Sequence, residues 1–240
     1  MDNRIIDLLL IVIVIIITTL YLIGQKYAPN LKQYVERFYD DLNWVPIEEI
    51  FQKADNGDLI FLSGDTRGER TCRFCTDSIF SHIAFLFKEI HPETGENILY
   101  VWESDLGQRS KDGPRILPFK EKMKRYHGYP YLMWRRLEGE RPTTRSIMET
   151  VHKYAHYDFD HQIFSWWSSE GLLSPLYYFV KDDKKVFCSE LVALTLQDLN
   201  IVDRGKKAAW YSPKSFSDEN IIGLHKNYRY GERCFSKWEL

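Results

Sequence analysis

The chain has 240 residues, of which 44% are hydrophobic and 28% charged: enough apolar matter for one folded domain and too much for a disordered segment. A net charge of -2 and a pI near 6.4 exclude general electrostatic attraction to nucleic acid, and no nucleic-acid motif is present. Four cysteines in a chain of this length do not make a disulfide scaffold.

The first element is apolar throughout. "LLLIVIVIIITTLYLI", Leu8 to Ile23, carries no charge, and Ile5 and Ile6 extend it past Asp7. About 19 residues at 1.5 Å each reach roughly 28 Å, close to a bilayer's hydrocarbon thickness. The leader "MDNRIID" lacks the positive charge of a signal peptide, and no small-x-small site follows. The sequence therefore predicts a transmembrane anchor over 1–24, with residues 5–23 partnering the lipid bilayer. Arg4 stands alone before this run, whereas Lys26, Lys32 and Arg37 follow it, which places the C-terminal part on the cytoplasmic side.

Residues 25–50 read as a juxtamembrane linker. Leu31, Tyr34, Val35 and Phe38 recur at helical spacing, so this amphipathic helix either lies on a membrane or packs against the domain. Residues 51–240 form the domain itself. "GDLIFLSG" (57–64) predicts a short buried strand, and "HIAFLFKEI" and "ILYVWES" two more, joined as a hairpin by "HPETGEN". "PFKEKMKRY" reads as a short helix and "YLMWRRL" as a strand. "TTRSIMETVHKYAHY" reads as a helix capped by Thr144, and "VFCSELVALTLQDLN" as a largely buried helix. The pattern is α+β, an antiparallel sheet packed against a helix that carries Cys188.

Cys188 opens that last helix. The unpaired N–H groups of a helix N-terminus favour an anion, and a thiolate is the nucleophilic form of cysteine. A small hydrophobe filling a helix–sheet seam is the alternative. A thiol nucleophile needs a nitrogen base, and the base an orienting acceptor. His82 heads the strand "HIAFLF", and Glu103 of "VWES" lies on the strand expected beside it.

"GDLIF", "SHIAF", "VWES" and "FCSELV", in that order, resemble the circularly permuted NlpC-type papain-like cysteine hydrolases, most closely the YiiX-like and poxvirus-type subgroup. The resemblance runs from about Gly57 to Pro213 and takes in "YDF" at Tyr157 and "YSPKSF" after the cysteine helix. It implies a hydrolase of amide bonds (peptide, isopeptide or N-acyl) in which Cys188 attacks, His82 moves the proton and Glu103 holds the imidazole. It also implies Tyr157 as an oxyanion donor beside the Cys188 N–H. A lipid acyltransferase or phospholipase is the alternative, since acyltransferases of this fold act on acyl esters and the aromatic stretch Phe164 to Phe179 would suit an acyl chain. Their "NCEHF"-like cysteine motif is here "FCSEL". A catalytically silent, anchored interaction protein is the third reading.

No cofactor is implied. Cys72 and Cys75 of "CRFC", with His82 and His91 downstream, have half-site spacing for zinc but would take the histidine that the thiol needs. His152, His156, Asp158, Asp160 and His161 form a second metal-like group, read as a solvated helix end and loop. The basic run Lys120 to His127 reads as a solvated helix face or a lipid contact.

Overall fold

Period-two apolar runs build a seven-stranded sheet in a computed structural model. It describes residues 11–12, 14–15, 18–19, 22–24, 26–91, 93–106, 112–126, 131–160, 184–218, 221 and 223–238. In chain order the strands are β1 (Asn43–Trp44), β2 (Leu59–Leu62), β3 (His82–Ile90), β4 (Asn97–Asp105), β5 (Gly113–Pro118), β6 (Tyr131–Arg135), β7 (Leu137–Glu138), β8 (Asp158–Phe159), β9 (Lys185–Val186), β10 (Arg229–Tyr230) and β11 (Cys234–Lys237). The main sheet runs β1-β11-β6-β2-β3-β4-β5; β7 pairs with β10, and β8 with β9. The expected antiparallel sheet is in fact mixed, because β1 lies parallel to β11 at the edge. Its other pairings are antiparallel.

Seven helices are labelled here: α1 (Leu31–Phe38), α2 (Ile47–Lys53), α3 (Arg67–Cys75), α4 (Phe119–Arg125), α5 (Thr144–Tyr154), α6 (Cys188–Asp198) and α7 (Pro213–Ser217). They cover both faces of the sheet. Strand alternation sends Phe61, Ile83, Phe85 and Trp102 to one core, where they meet Val151 of α5 and Leu191 and Val192 of α6. Ile60, Ala84, Leu86 and Val101 point the other way, onto Ile50 of α2 and Phe119 and Met123 of α4. Trp102 keeps its one polar atom satisfied, donating from Nε1 to Thr195 Oγ1 at 3.0 Å.

The juxtamembrane stretch joins this architecture. Leu31 and Val35 are fully buried in the first core, Ile50 in the second, and β1 forms an edge of the sheet. Gly24 lies against the Phe74 ring of α3, which a Cβ at Gly24 would approach to 3.0 Å.

The transmembrane anchor and the single-pass localisation are corrected: among the described residues no helix is long and apolar enough to cross a membrane. A span needs about 20 consecutive apolar residues in one helix. Most of 1–24 lies outside the described residues, and the helical positions described there do not make such a run. The α5 cap is also corrected by one residue. Thr143 has the extended backbone of a cap and accepts from Ser146 N–H at 3.2 Å, while Thr144 is the first helical residue.

Gly113 opens β5 at φ +121°, and a Cβ there would lie 2.9 Å from Tyr157 O and 3.0 Å from Phe159 N. The close approach lets β5 lie under β8, next to the strand that leads into Cys188. Gly113→Ala is expected to cost about 1–3 kcal/mol through strain. Thermal denaturation should show it at about 2–4 °C per kcal/mol. An unchanged melting temperature would mean that β8 yields freely.

Candidate active site

Strand parity sets the arrangement. His82 shares a face of β3 with Ala84 and Leu86, and Glu103 shares a face of β4 with Val101. With Phe85 opposite Trp102, the register brings these positions to the same side of the sheet, so a long carboxylate reaches the ring diagonally. His82 Nε2 and Glu103 Oε2 are 2.8 Å apart. Cys188 borders the same cavity as His82 and acts on the imidazole from that side. Cys188 arrives from the opposite core at the first residue of α6, so the three meet at the end of the sheet.

Glu103 is wholly buried and carries more partners than a triad requires. Arg115, its cross-strand neighbour on β5, donates from Nε at 3.1 Å and Nη2 at 3.0 Å to Oε1. Lys122 Nζ lies 3.0 Å from Oε1 and 2.8 Å from Oε2. Both cations also reach Asp105 Oδ2, Lys122 at 3.0 Å and Arg115 at 2.9 Å.

Burial works to raise the Glu103 carboxyl, but Lys122, then His82 and Arg115, prevail and hold it below its ordinary range. Burial and then Lys122 push the His82 imidazole down. Asp105, Cys188 and Glu103 outweigh them, and it titrates above the ordinary histidine value. Cys72, also buried in this region, has its thiol pushed well up by burial first and by the neighbouring Cys188 and Cys75 next.

His82, Cys188, Cys72, Asp105 and Lys122 border a cavity of about 540 Å³. Its walls are largely apolar, with Leu62, Leu106, Phe159, Phe187 and Pro213 around His82, Cys72 and Cys188. Several hydroxyls on the walls are committed internally. Thr76 donates to Cys72 O, Ser189 to Tyr211 O, and Ser81 Oγ accepts from Gly64 N–H. Ser212 accepts from Ser215 N–H as the cap of α7. Phe187, the residue before α6, supplies no side-chain cap to the N-terminus that carries Cys188.

The structure thus brings Cys188, His82 and Glu103 together but leaves Tyr157 elsewhere. The Tyr157 ring packs edge-on against Tyr154 and His156, and Tyr157 does not border the cavity. The two rival metal groups are not assembled either. Nine residues of β3 separate His82 from the turn that holds His91, roughly 30 Å. His91 there accepts from Glu93 and Thr94 N–H. His152 and His156 are exposed, and His161 lies outside the described residues, as does the aromatic stretch 164–179.

Among the described residues His82, Glu103 and Asp105 do offer ligand atoms within 4.8 Å of one another. Lys122 already bridges the two carboxylates, so a metal ion there would have to displace a buried ammonium.

Arg115, Lys122 and Asp105 escaped the sequence reading. Asp105 carries a signal, two residues beyond Glu103 and on the same face. Lys122 carries another, adjoining Met123 and one turn from Phe119, the two apolar positions of α4.

No family model matches the chain, and no curated protein matches it. Among solved structures it is similar to metalloprotein yiiX from Escherichia coli O157:H7, at 15% identity over 77% of this chain and 98% of that one, with a TM-score of 0.42. A likeness at that level assigns this chain neither the permuted NlpC-type arrangement, nor the poxvirus-type subgroup, nor an activity.

Proposed function

We propose that the protein is a cysteine hydrolase acting on an amide bond, with Cys188 as nucleophile, His82 as general base and acid, and Glu103 as the group that orients the imidazole. The observation that carries this reading is the buried Glu103–His82 pair, with His82 and Cys188 bordering one cavity. Cys188 Sγ attacks the carbonyl carbon, and the C–N bond breaks as His82 delivers a proton to the leaving amine. Water then cleaves the thioester, with His82 taking its proton. The oxyanion forms beside the Cys188 N–H at the start of α6, where the helix dipole and unpaired donors favour negative charge. The apolar walls suit a substrate whose acyl side is apolar, which keeps the acyl-ester reading as the second; parallel assays on peptide and phospholipid substrates separate the two.

The test is alkylation of Cys188 by iodoacetamide in the full chain, read by peptide mass against pH. His82→Ala is expected to slow it by about 10²-fold at pH 7, the low end of what a positioned base contributes. Equal rates in parent and variant would make Cys188 a packing residue and end the enzyme reading.

A further inference from the structure

The ammonium of Lys122 stands between Glu103 and Asp105 where a resident cation would sit. We infer that Lys122 is a positioning residue for the proposed reaction: it keeps the Glu103 carboxylate turned to His82 and balances the charge against which the imidazole exchanges its proton with Cys188. The inference rests on the cysteine-nucleophile reading.

The geometry argues for it in three ways. Lys122 is 6% exposed and projects from α4 on the same side as Phe119 and Met123, both fully buried. A lysine is rarely buried so far unless its charge is matched. Its Nζ donates to Glu103 Oε1 and Asp105 Oδ2, both at 3.0 Å, and lies 2.8 Å from Glu103 Oε2 as an ion pair. The carboxylate is thereby clamped in one rotamer, with Oε2 presented to His82 Nε2.

The charges close as well. Glu103 and Asp105 carry two negative charges, Arg115 and Lys122 two positive ones. A proton passing from Cys188 to His82 therefore creates an ion pair beside a neutral cluster. Without Lys122 the cluster becomes anionic, and the imidazolium holds its proton too tightly to give it to a leaving group.

Lys122 also differs from Arg115 in place. Lys122 borders the cavity and acts directly on the imidazole; Arg115 does not border it. Among the described residues the other charged and titratable groups on the cavity are Asp65, Glu69, Cys72, Arg125 and Tyr126, whose hydroxyl is bound to Ser63 O. Asp65 is bound to Arg70 and Arg73, Glu69 caps α3 through Thr66, and Arg125 pairs with Glu121. Among these cavity-lining groups Lys122 is the cation that bridges Glu103 and Asp105.

The test follows the His82 Cε1–H resonance by NMR across pH in the full chain, assigned by its absence in His82→Ala. Lys122→Met is expected to move the His82 midpoint up by about one pH unit, because a neighbouring positive charge is lost. Asp105→Asn should move it down, because a negative charge is lost, and Lys122→Arg should stay nearer the parent than Lys122→Met. A folded Lys122→Met with the parent midpoint would reduce Lys122 to packing and overturn the inference. Should that variant not fold, Asp105→Asn decides: Asp105 is 32% exposed, and an unmoved midpoint there overturns the inference equally. Iodoacetamide on the parent keeps the two levels apart. An inert Cys188 removes the enzyme reading and this one with it, whereas a reactive Cys188 with an unmoved imidazole removes only the part given to Lys122.

Discussion

Glu103→Gln is expected to lower turnover by about 10⁴, the cost of a carboxylate-to-amide change in a catalytic triad. The reason is geometric. Glu103 Oε2 accepts from His82 Nε2, which orients the ring and leaves its other nitrogen to serve the thiol in the proposed reaction. A glutamine can offer an N–H at that point instead, and the ring then turns over or loses its partner. Stability falls too. Lys122 remains buried and Arg115 half-buried with only Asp105 between them, and breaking one partner out of a buried ionic group costs about 3–5 kcal/mol.

The pH profile gives a separate reading of the same pair. Glu103 is depressed in the folded protein, so its contribution is present above its ordinary value of 4.5 and is lost as pH falls toward the folded value. His82 is raised, so its contribution is complete below its ordinary value of 6.5 and is lost as pH rises through the folded value. The parent's melting temperature should therefore fall on both sides of that window, and in Glu103→Gln both slopes should flatten. A variant with the parent's slopes would show that the pair does not govern them.

Arg135→Met is expected to be the most damaging change away from the cavity. Arg135 lies on β6 and is 2% exposed. Its guanidinium donates from Nε to Gly231 O at 3.1 Å, from Nη1 to Phe216 O at 2.8 Å and Asp218 O at 2.5 Å, and from Nη2 to Tyr230 O at 2.9 Å. One side chain thereby fastens the end of α7 and the strand β10 to the sheet. A methionine fills similar space but leaves these carbonyls without that donor, at about 1–3 kcal/mol for each that water cannot reach. A loss of at least about 3 kcal/mol, or about 10 °C in melting temperature, should follow in thermal denaturation. Because Ser212 and Pro213 at the start of α7 border the cavity, Cys188 alkylation should also lose its dependence on His82 as that wall loosens. Arg135→Lys should recover only part of the stability, since an ammonium cannot span four carbonyls spread over two segments. A methionine variant within 1 kcal/mol of the parent would show that the C-terminal segments hold without this anchor.

The sequence by itself determined the elements whose burial repeats at short range. β2, β3 and β4 are legible because Leu59 to Leu62, His82 to Ile90 and Asn97 to Asp105 alternate or run apolar between turn residues. α6 is legible because its apolar positions fill nearly every turn. His82 and Cys188 could be named for the same reason, each opening such an element, and Glu103 because its strand was expected beside that of His82. β5 and β11 are short and carry no comparable run, and they emerge only from pairing with β4 and β6.

Tertiary structure alone decided the rest. Lys122 and Arg115 look like solvated charges in the chain, and it takes the β4–β5 register and the docking of α4 to bring them onto Glu103. It likewise set the Tyr157 ring against Tyr154 and drew α1 into the core, and among the described residues no helix is long and apolar enough to cross a membrane. Hydrophobic periodicity is a local property that the sequence displays. The partner of a buried charge is fixed by which strand lies alongside, and that is settled only when the whole sheet closes.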